Sequence, residues 1–203
     1  MMKKLSAMWL STVLLTLIAP SLAAAQSVQV EAKTVIVDHH ELGATDMGLG
    51  GRIGWFLTPA IGIEGEFVLY PKDIPRSRAI STSRSEGLFG VTLGPRLGAV
   101  RPFGRVRAGF HKYGDASGPI PCILIFPPPI SCTLAGGHTG AALDFGGGVE
   151  VAASGGAFVR FDIGARKLRL PGPAFVFNRD RDRHDEDFWG SGVRVALGAG
   201  WAF

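Results

Sequence analysis

Beyond its first 25 residues the sequence has no apolar run long enough to cross a membrane as a helix. Such a helix needs about 18 or more consecutive apolar residues, yet apolar residues make up 46% of the 203 positions. The apolar residues are therefore spread over many short segments. A chain of this length is expected to form one domain, and short strands are expected to build it.

The sequence also lacks an excess of charge of one sign. It has 21 basic and 17 acidic side chains, and without Lys3 and Lys4 the basic count falls to 19, which leaves a net charge of +2. This near balance gives no reason to expect a nucleic-acid partner.

Cysteine is scarce, since the chain contains only Cys122 and Cys132. In an exported protein such a pair predicts a disulfide, because the compartment is oxidising. A metal-binding pair is the alternative, but no close histidine or acid completes a site. No metal or cofactor is predicted.

The first 25 residues have the features of a secretory signal peptide. Lys3 and Lys4 precede a mostly apolar run at residues 8–19, and three alanines at 23–25 supply a cleavage site. We expect residues 1–25 to be removed and residues 26–203 to form the exported barrel domain described below. An uncleaved membrane anchor is the alternative.

In the last stretch, GVRVALGAGWAF, every second residue from Val193 to Phe203 is apolar. The residues between them are small, apart from Arg194. A period of two predicts a β-strand with two different faces. Seven further segments alternate in the same way, although the first does so only in part. The eight predicted strands are 28–37, 47–57, 61–70, 86–96, 103–113, 140–152, 157–168 and 192–203.

The connections between these strands differ in length on the two sides of the predicted sheet. Those after the second, fourth and sixth strands are short, whereas those after the third, fifth and seventh are long, at 71–85, 114–139 and 169–191. The first connection, 38–46, is intermediate. Short turns on one side and long loops on the other are typical of outer-membrane barrels.

The alternation, the loop asymmetry, the signal peptide and the terminal GAGWAF resemble the small bacterial outer-membrane β-barrel family of the OmpA/OmpX type. The resemblance implies an all-β fold, an eight-stranded antiparallel up-and-down transmembrane β-barrel, in the outer membrane of a Gram-negative-type bacterium. It also implies that Trp201 and Phe203 belong to the signal read by the barrel-assembly machinery. Outer-membrane lipids are the expected partners, and the protein is expected to be a monomer. The basic loop 71–85 is predicted either to contact the phosphates of lipopolysaccharide or to be an ordinary solvated loop.

The period of two does not say which face points inward. A soluble barrel of the lipocalin kind, with its apolar face inside, is the alternative. The membrane arrangement is favoured because the glycines cluster on the polar face, where a narrow interior needs small residues, and because the long loops lie on one side.

The polar faces of the predicted strands carry nearly balanced charge. An eight-stranded barrel is only just wide enough for its own side chains, and charges away from water are costly unless paired. We therefore predict a packed polar interior without an open channel; a gated pore lined by its arginines is the alternative. The predicted network contains Arg52, Glu64, Glu66, Arg105, Arg107, Asp144, Glu150, Arg160, Asp162, Arg166 and Arg194, with Lys33, Arg96, Glu31 and Glu86 on the same faces.

The sequence predicts no enzyme, because its histidines show no spacing typical of a catalytic dyad or triad. A lipid-acting barrel enzyme remains the alternative, with His111 or His138 as the residue to test. Function is expected in the outer loops, in a structural or surface-interaction role. The apolar, proline-rich part of loop 114–139 is predicted either to form a contact surface or to fold back over the barrel mouth. The histidines are His39, His40, His111, His138 and His184.

Overall fold

The computed structural model describes residues 27–71, 83–115, 125–176 and 183–203. Eight strands of this part form a closed barrel, which confirms the predicted fold class. Among the described residues no helix is long and apolar enough to span a membrane. The predicted signal peptide lies outside these residues and stays a prediction. The barrel strands are β1 (Ser27–His39), β2 (Ala44–Phe56), β3 (Ile61–Tyr70), β4 (Arg84–Leu93), β5 (Val100–Asp115), β6 (Gly136–Ala152), β7 (Ala157–Leu170) and β10 (Phe188–Ala202).

Each barrel strand pairs antiparallel with its neighbours along the chain, and β1 closes the barrel against β10. In the closing pair Lys33 lies opposite Gly198, and Val28 and Phe203 exchange two backbone hydrogen bonds of 3.2 and 2.8 Å. Closure satisfies the backbone groups that an open sheet edge would leave unpaired. The up-and-down order places the three short turns at one end of the barrel, here called the short-turn end, and the long loops at the other, the long-loop end.

Two connections differ from the prediction. The first is shorter, because its strands run further than the alternation alone indicates, and the fourth keeps its length but shifts by three residues, from 97–102 to 94–99. The first connection shrinks from 38–46 to a turn of four residues at 40–43, where Gly43 has a φ of +56° that suits glycine. At the fourth, β5 begins at Val100 rather than at residue 103, because Leu97 and Val100 close a tight turn through backbone hydrogen bonds. Arg96 consequently lies outside β4 and is exposed, so its predicted position inside the barrel is wrong.

At the long-loop end, segments of two loops pack together over the barrel mouth. They contain the short helix α1 (Ile130–Ala135) and a two-stranded sheet of β8 (Ala174–Phe175) and β9 (Arg183–His184). The Phe175 amide donates a hydrogen bond of 2.8 Å to the Pro128 carbonyl and so joins the two loops.

The apolar cap is the buried cluster formed where these loop segments meet the strand ends. It consists of Leu88, Tyr113, Ile130, Leu134, Ala142, Leu168, Leu170, Ala174 and Val176. This part of loop 114–139 therefore folds back onto the barrel mouth, whereas Phe126 stays 78% exposed. Residues 116–124 of the same loop lie outside the described residues.

Candidate functional site

The two faces of the barrel differ in chemistry, and the apolar face points outward. Ile53, Phe89 and Leu197 on the outer face are 58–63% exposed. The eleven charged residues named above for the interior all face inward and are at most 5% exposed. A soluble barrel with an apolar interior has the opposite arrangement.

The centre of the barrel interior is filled by carboxylates that each contact several cations. Glu66 accepts hydrogen bonds from Lys33 Nζ at 2.7 Å, from Arg107 Nη1 at 2.6 Å and from Arg194. Asp144 accepts from Arg105 Nε and Arg107 Nη2, both at 2.8 Å. Such charge-assisted bonds are stronger than neutral ones, and they tie strands on opposite sides of the barrel together.

The short-turn end is closed by arginines that pair with carboxylates and stack on aromatic rings. Glu150 accepts hydrogen bonds from Arg101 Nη2 at 2.9 Å and from the Gln29 amide at 3.0 Å. The Arg101 guanidinium lies 4.1 Å from the centre of the Phe56 ring, and that of Arg160 lies 3.9 Å from the centre of the Phe103 ring. These cation–π contacts fill the interior next to the turns.

The long-loop end contains a third group of buried charges, directly beneath the apolar cap. Asp46 accepts two hydrogen bonds from Arg84 and contacts His39 Nε2 at 3.0 Å. Arg166 pairs with Glu86, and its Nη2 lies 2.9 Å from His111 Nδ1. We call these six residues, with the neighbouring Tyr70 and Tyr113, the upper cluster.

Several interior residues were missed by the sequence reasoning because they fall outside the predicted strands. Arg84, His39 and Asp46 lie in predicted loops, and Arg101 lies in a predicted link. Extending the alternation of each strand by one or two residues places all four on the inward face. The sequence places Arg84 in the basic loop 71–85, but in the structure it lies inside the barrel and is 4% exposed.

Two further sets of predicted residues remain untested. Trp201 points outward, and Phe203 is 78% exposed beside Val28, but their role in assembly stays a prediction. Cys132 lies in α1 and is not a free thiol. Cys122 lies outside the described residues, so the proposed disulfide also stays a prediction. Within the described ranges no group of three metal-ligating side chains comes together.

His111 does not form the arrangement that a catalytic base would need with Asp144. Its ring contacts Arg166, lies 3.9 Å from Glu86 and packs edge-on against Tyr113. Asp144 is instead held by Arg105 and Arg107. The inward position of His111 therefore reflects packing among charged groups.

A closed antiparallel barrel of eight strands, apolar outside and ion-paired inside, defines the class of small transmembrane β-barrels. This chain has that fold.

Comparison with known proteins agrees with this class. No protein-family model and no curated protein sequence matches the chain. Among solved structures, Neisserial surface protein A (NspA) is similar at 14% identity, with a TM-score of 0.52 over 87% of this chain and 96% of that one. The outer-membrane protein OprG of Pseudomonas aeruginosa is similar at 13% identity, with a TM-score of 0.46 over 88% and 96%. The N-terminal β-barrel domain of OprF from the same organism has 15% identity and a TM-score of 0.45 over 86% and 97%.

Proposed function

We propose that this protein is a non-enzymatic outer-membrane barrel without a through-channel, which acts in a structural or surface-interaction role through its long loops. The observation that carries the proposal is the filled interior. Ion pairs occupy the barrel from Arg101–Glu150 at the short-turn end to Arg84–Asp46 beneath the apolar cap. A barrel that is sealed in this way leaves its loops as the surface available for function.

The outer face supports a membrane location. Exposed apolar side chains lie on all eight barrel strands. Every barrel strand has at least 10 residues, which matches the about 9–11 that a tilted strand needs to cross a membrane. Trp55 and Trp201 lie near the short-turn end and Trp189 near the long-loop end, where amphipathic rings meet the lipid headgroups. We infer that the short turns face the periplasm and the long loops face outward.

The location is tested by heat modifiability of the protein in the outer-membrane fraction. A closed barrel that resists detergent migrates faster on an SDS gel before boiling than after boiling. A soluble periplasmic protein without a shift would overturn the proposed location.

The absence of a channel is tested by conductance in a planar lipid bilayer. Because Glu66 and Arg107 fill the centre of the barrel, we expect no stable conductance from the folded protein. The same bilayer treated with detergent alone is the control for leakage. A large, steady conductance from the unaltered protein would contradict the sealed interior.

The absence of catalysis is tested with phospholipid and lipid A substrates analysed by mass spectrometry. We expect no hydrolysis above the level of a heat-denatured sample. Hydrolysis that disappears in His111→Ala or His138→Ala would instead establish a lipid-acting enzyme.

A further inference from the structure

We propose that three outward-facing cations at the long-loop end of the barrel bind one glycolipid of the outer leaflet that carries two phosphate groups, as lipid A does. The proposal rests on the membrane location and orientation proposed above. The cations are Lys112 on β5 and Lys167 and Arg169 on β7, and all three are exposed. Every other lysine and arginine on the described barrel strands is buried inside the barrel.

The position of the two lysines along their strands matches the expected edge of the membrane. On β5 the outward residues within 100–110 carry no charge, and the next outward residue is Lys112. On β7 the outward residues within 157–165 carry no charge, and the next one is Lys167. Each uncharged stretch has the about 9–11 residues that a tilted strand needs to cross a membrane. The lysines therefore lie where acyl chains give way to headgroups.

The cations lie on both sides of β6, at a spacing that suits two phosphate groups. Lys112 is the cross-strand partner of Thr139 on β6. On the other side of β6 the register places Arg169 beside Ala141. Because strands lie about 4.8 Å apart and rise about 3.3 Å per residue, the Cα atoms of Lys112 and Arg169 are roughly 12 Å apart. Lys167 lies next to Arg169 on the same face of β7. One lipid with two phosphates can contact both sides, whereas a single phosphate contacts only one.

The two lysines are available to a ligand. None of the described carboxylates forms an ion pair with Lys112 or Lys167. Arg169 has one partner, because its Nε lies 3.4 Å from Asp187 Oδ2, but these two side chains are 52% and 44% exposed. Exposed pairs of this kind are weak, so a phosphate can compete for the arginine. Arginine and lysine both bind phosphate through charge-assisted hydrogen bonds.

The charge at this level differs between the two sides of the barrel. On β1 the outward residue near the long-loop end is Asp38, whose carboxylate accepts a hydrogen bond of 2.9 Å from the Thr45 hydroxyl. The side with β5 and β7 instead combines the cations with Trp189, the cross-strand partner of Arg169, which is 44% exposed. Tryptophan favours the headgroup level. Interfacial lysines that only avoid the apolar core need no particular side of a barrel, whereas a bound lipid needs its cations grouped.

The test measures lipid binding to the folded protein in detergent by native mass spectrometry. The probes are lipid A with two phosphates and the same lipid A with one phosphate. We expect one bound molecule of the lipid with two phosphates, and about fivefold weaker binding of the lipid with one, because each cation near a lipid phosphate contributes about that factor. Lys112→Gln with Lys167→Gln removes two cations and should weaken binding of the first lipid roughly 25-fold.

Arg96→Gln is the matched control. It removes an exposed cation at the short-turn end and should leave the binding unchanged. Equal binding of the two lipids, binding that survives the double glutamine variant, or an equal loss in Arg96→Gln would each overturn the proposal. If the protein keeps its heat shift, these results overturn this inference alone. A soluble protein without a heat shift overturns the proposed location, and this inference with it.

Discussion

Replacing Glu66 by glutamine tests how strongly the ion pairs of the interior stabilise the barrel. The substitution keeps the shape of the side chain and removes its charge. Glu66 contacts Lys33, Arg107 and Arg194, and it is 5% exposed. Glu66→Gln therefore leaves three cations around a neutral amide, in a place that water does not reach.

We expect Glu66→Gln to lower the free energy of unfolding by about 3–5 kcal/mol, the usual cost of removing one partner from a buried ion pair. The measurement is equilibrium unfolding in urea, with the barrel folded into lipid vesicles and followed by tryptophan fluorescence. Asp185→Asn is the matched control. Its ion pair with Arg183 has a similar length, 2.9 Å, but its partners are 57% and 72% exposed. Exposed pairs contribute about 0–1 kcal/mol.

A second variant separates lost charge from lost packing. Adding Lys33→Met to Glu66→Gln removes one of the three cations beside the amide, but it also removes the 3.4 Å contact of Lys33 with Asp162. The double variant should therefore recover only part of the loss, with a coupling of about 0.5–3 kcal/mol. If Glu66→Gln costs no more than Asp185→Asn, the buried network does not stabilise the barrel in the way described here.

Three further predictions concern the interior packing, the outer face and a loop. Gly148→Ala should lower the free energy of unfolding by about 1–3 kcal/mol, because its methyl group would overlap the backbone of β7; Gly136→Ala, which meets no atom within 4 Å, is the control, and heat-shift gels compare the two. Leu197→Arg should destabilise the barrel in vesicles by about 2–4 kcal/mol, because it places a charge on the lipid face, and an unchanged urea midpoint would contradict that orientation. The pKa of the Asp187 carboxyl should lie below the ordinary aspartate value, because the Gly172 amide donates it a hydrogen bond of 3.1 Å. Carbon-13 NMR titration measures it; the contact should persist at neutral pH and be lost as the pH falls through that pKa, and an ordinary pKa would contradict the bond.

Much of the fold follows from the alternation in the sequence, because a period of two leaves few structures for a chain without long apolar runs. Leu49, Ile53 and Trp55 predict the outer face of β2, and Arg52 predicts its inner face; the structure places each of them accordingly. The same alternation also indicated which charges would share the interior, since every second residue of a strand points inward.

The sequence does not predict which charged residues pair with each other inside the barrel, because the pairing depends on distances across the lumen. Lys33 and Glu66 are 33 positions apart in the chain yet 2.7 Å apart in space. The upper cluster was predicted only in part, since Glu86 and Arg166 were expected on the inward faces but Asp46 and Arg84 were not. Its members Asp46 and Arg84 lie where strands continue past the length needed to cross a membrane, next to turns whose polar residues resemble ordinary loops. The apolar cap depends on contacts between two separate loops, which no local pattern specifies.

The measurement that tests the central claim most directly is quenching of tryptophan fluorescence by brominated lipids, with the protein folded into vesicles. The described tryptophans, Trp55, Trp189 and Trp201, all lie on the outer face and are 44–56% exposed. A barrel with its apolar face toward lipid predicts strong quenching by brominated acyl chains and weak quenching by aqueous iodide. Strong quenching by iodide, with none by the brominated lipids, would contradict the account.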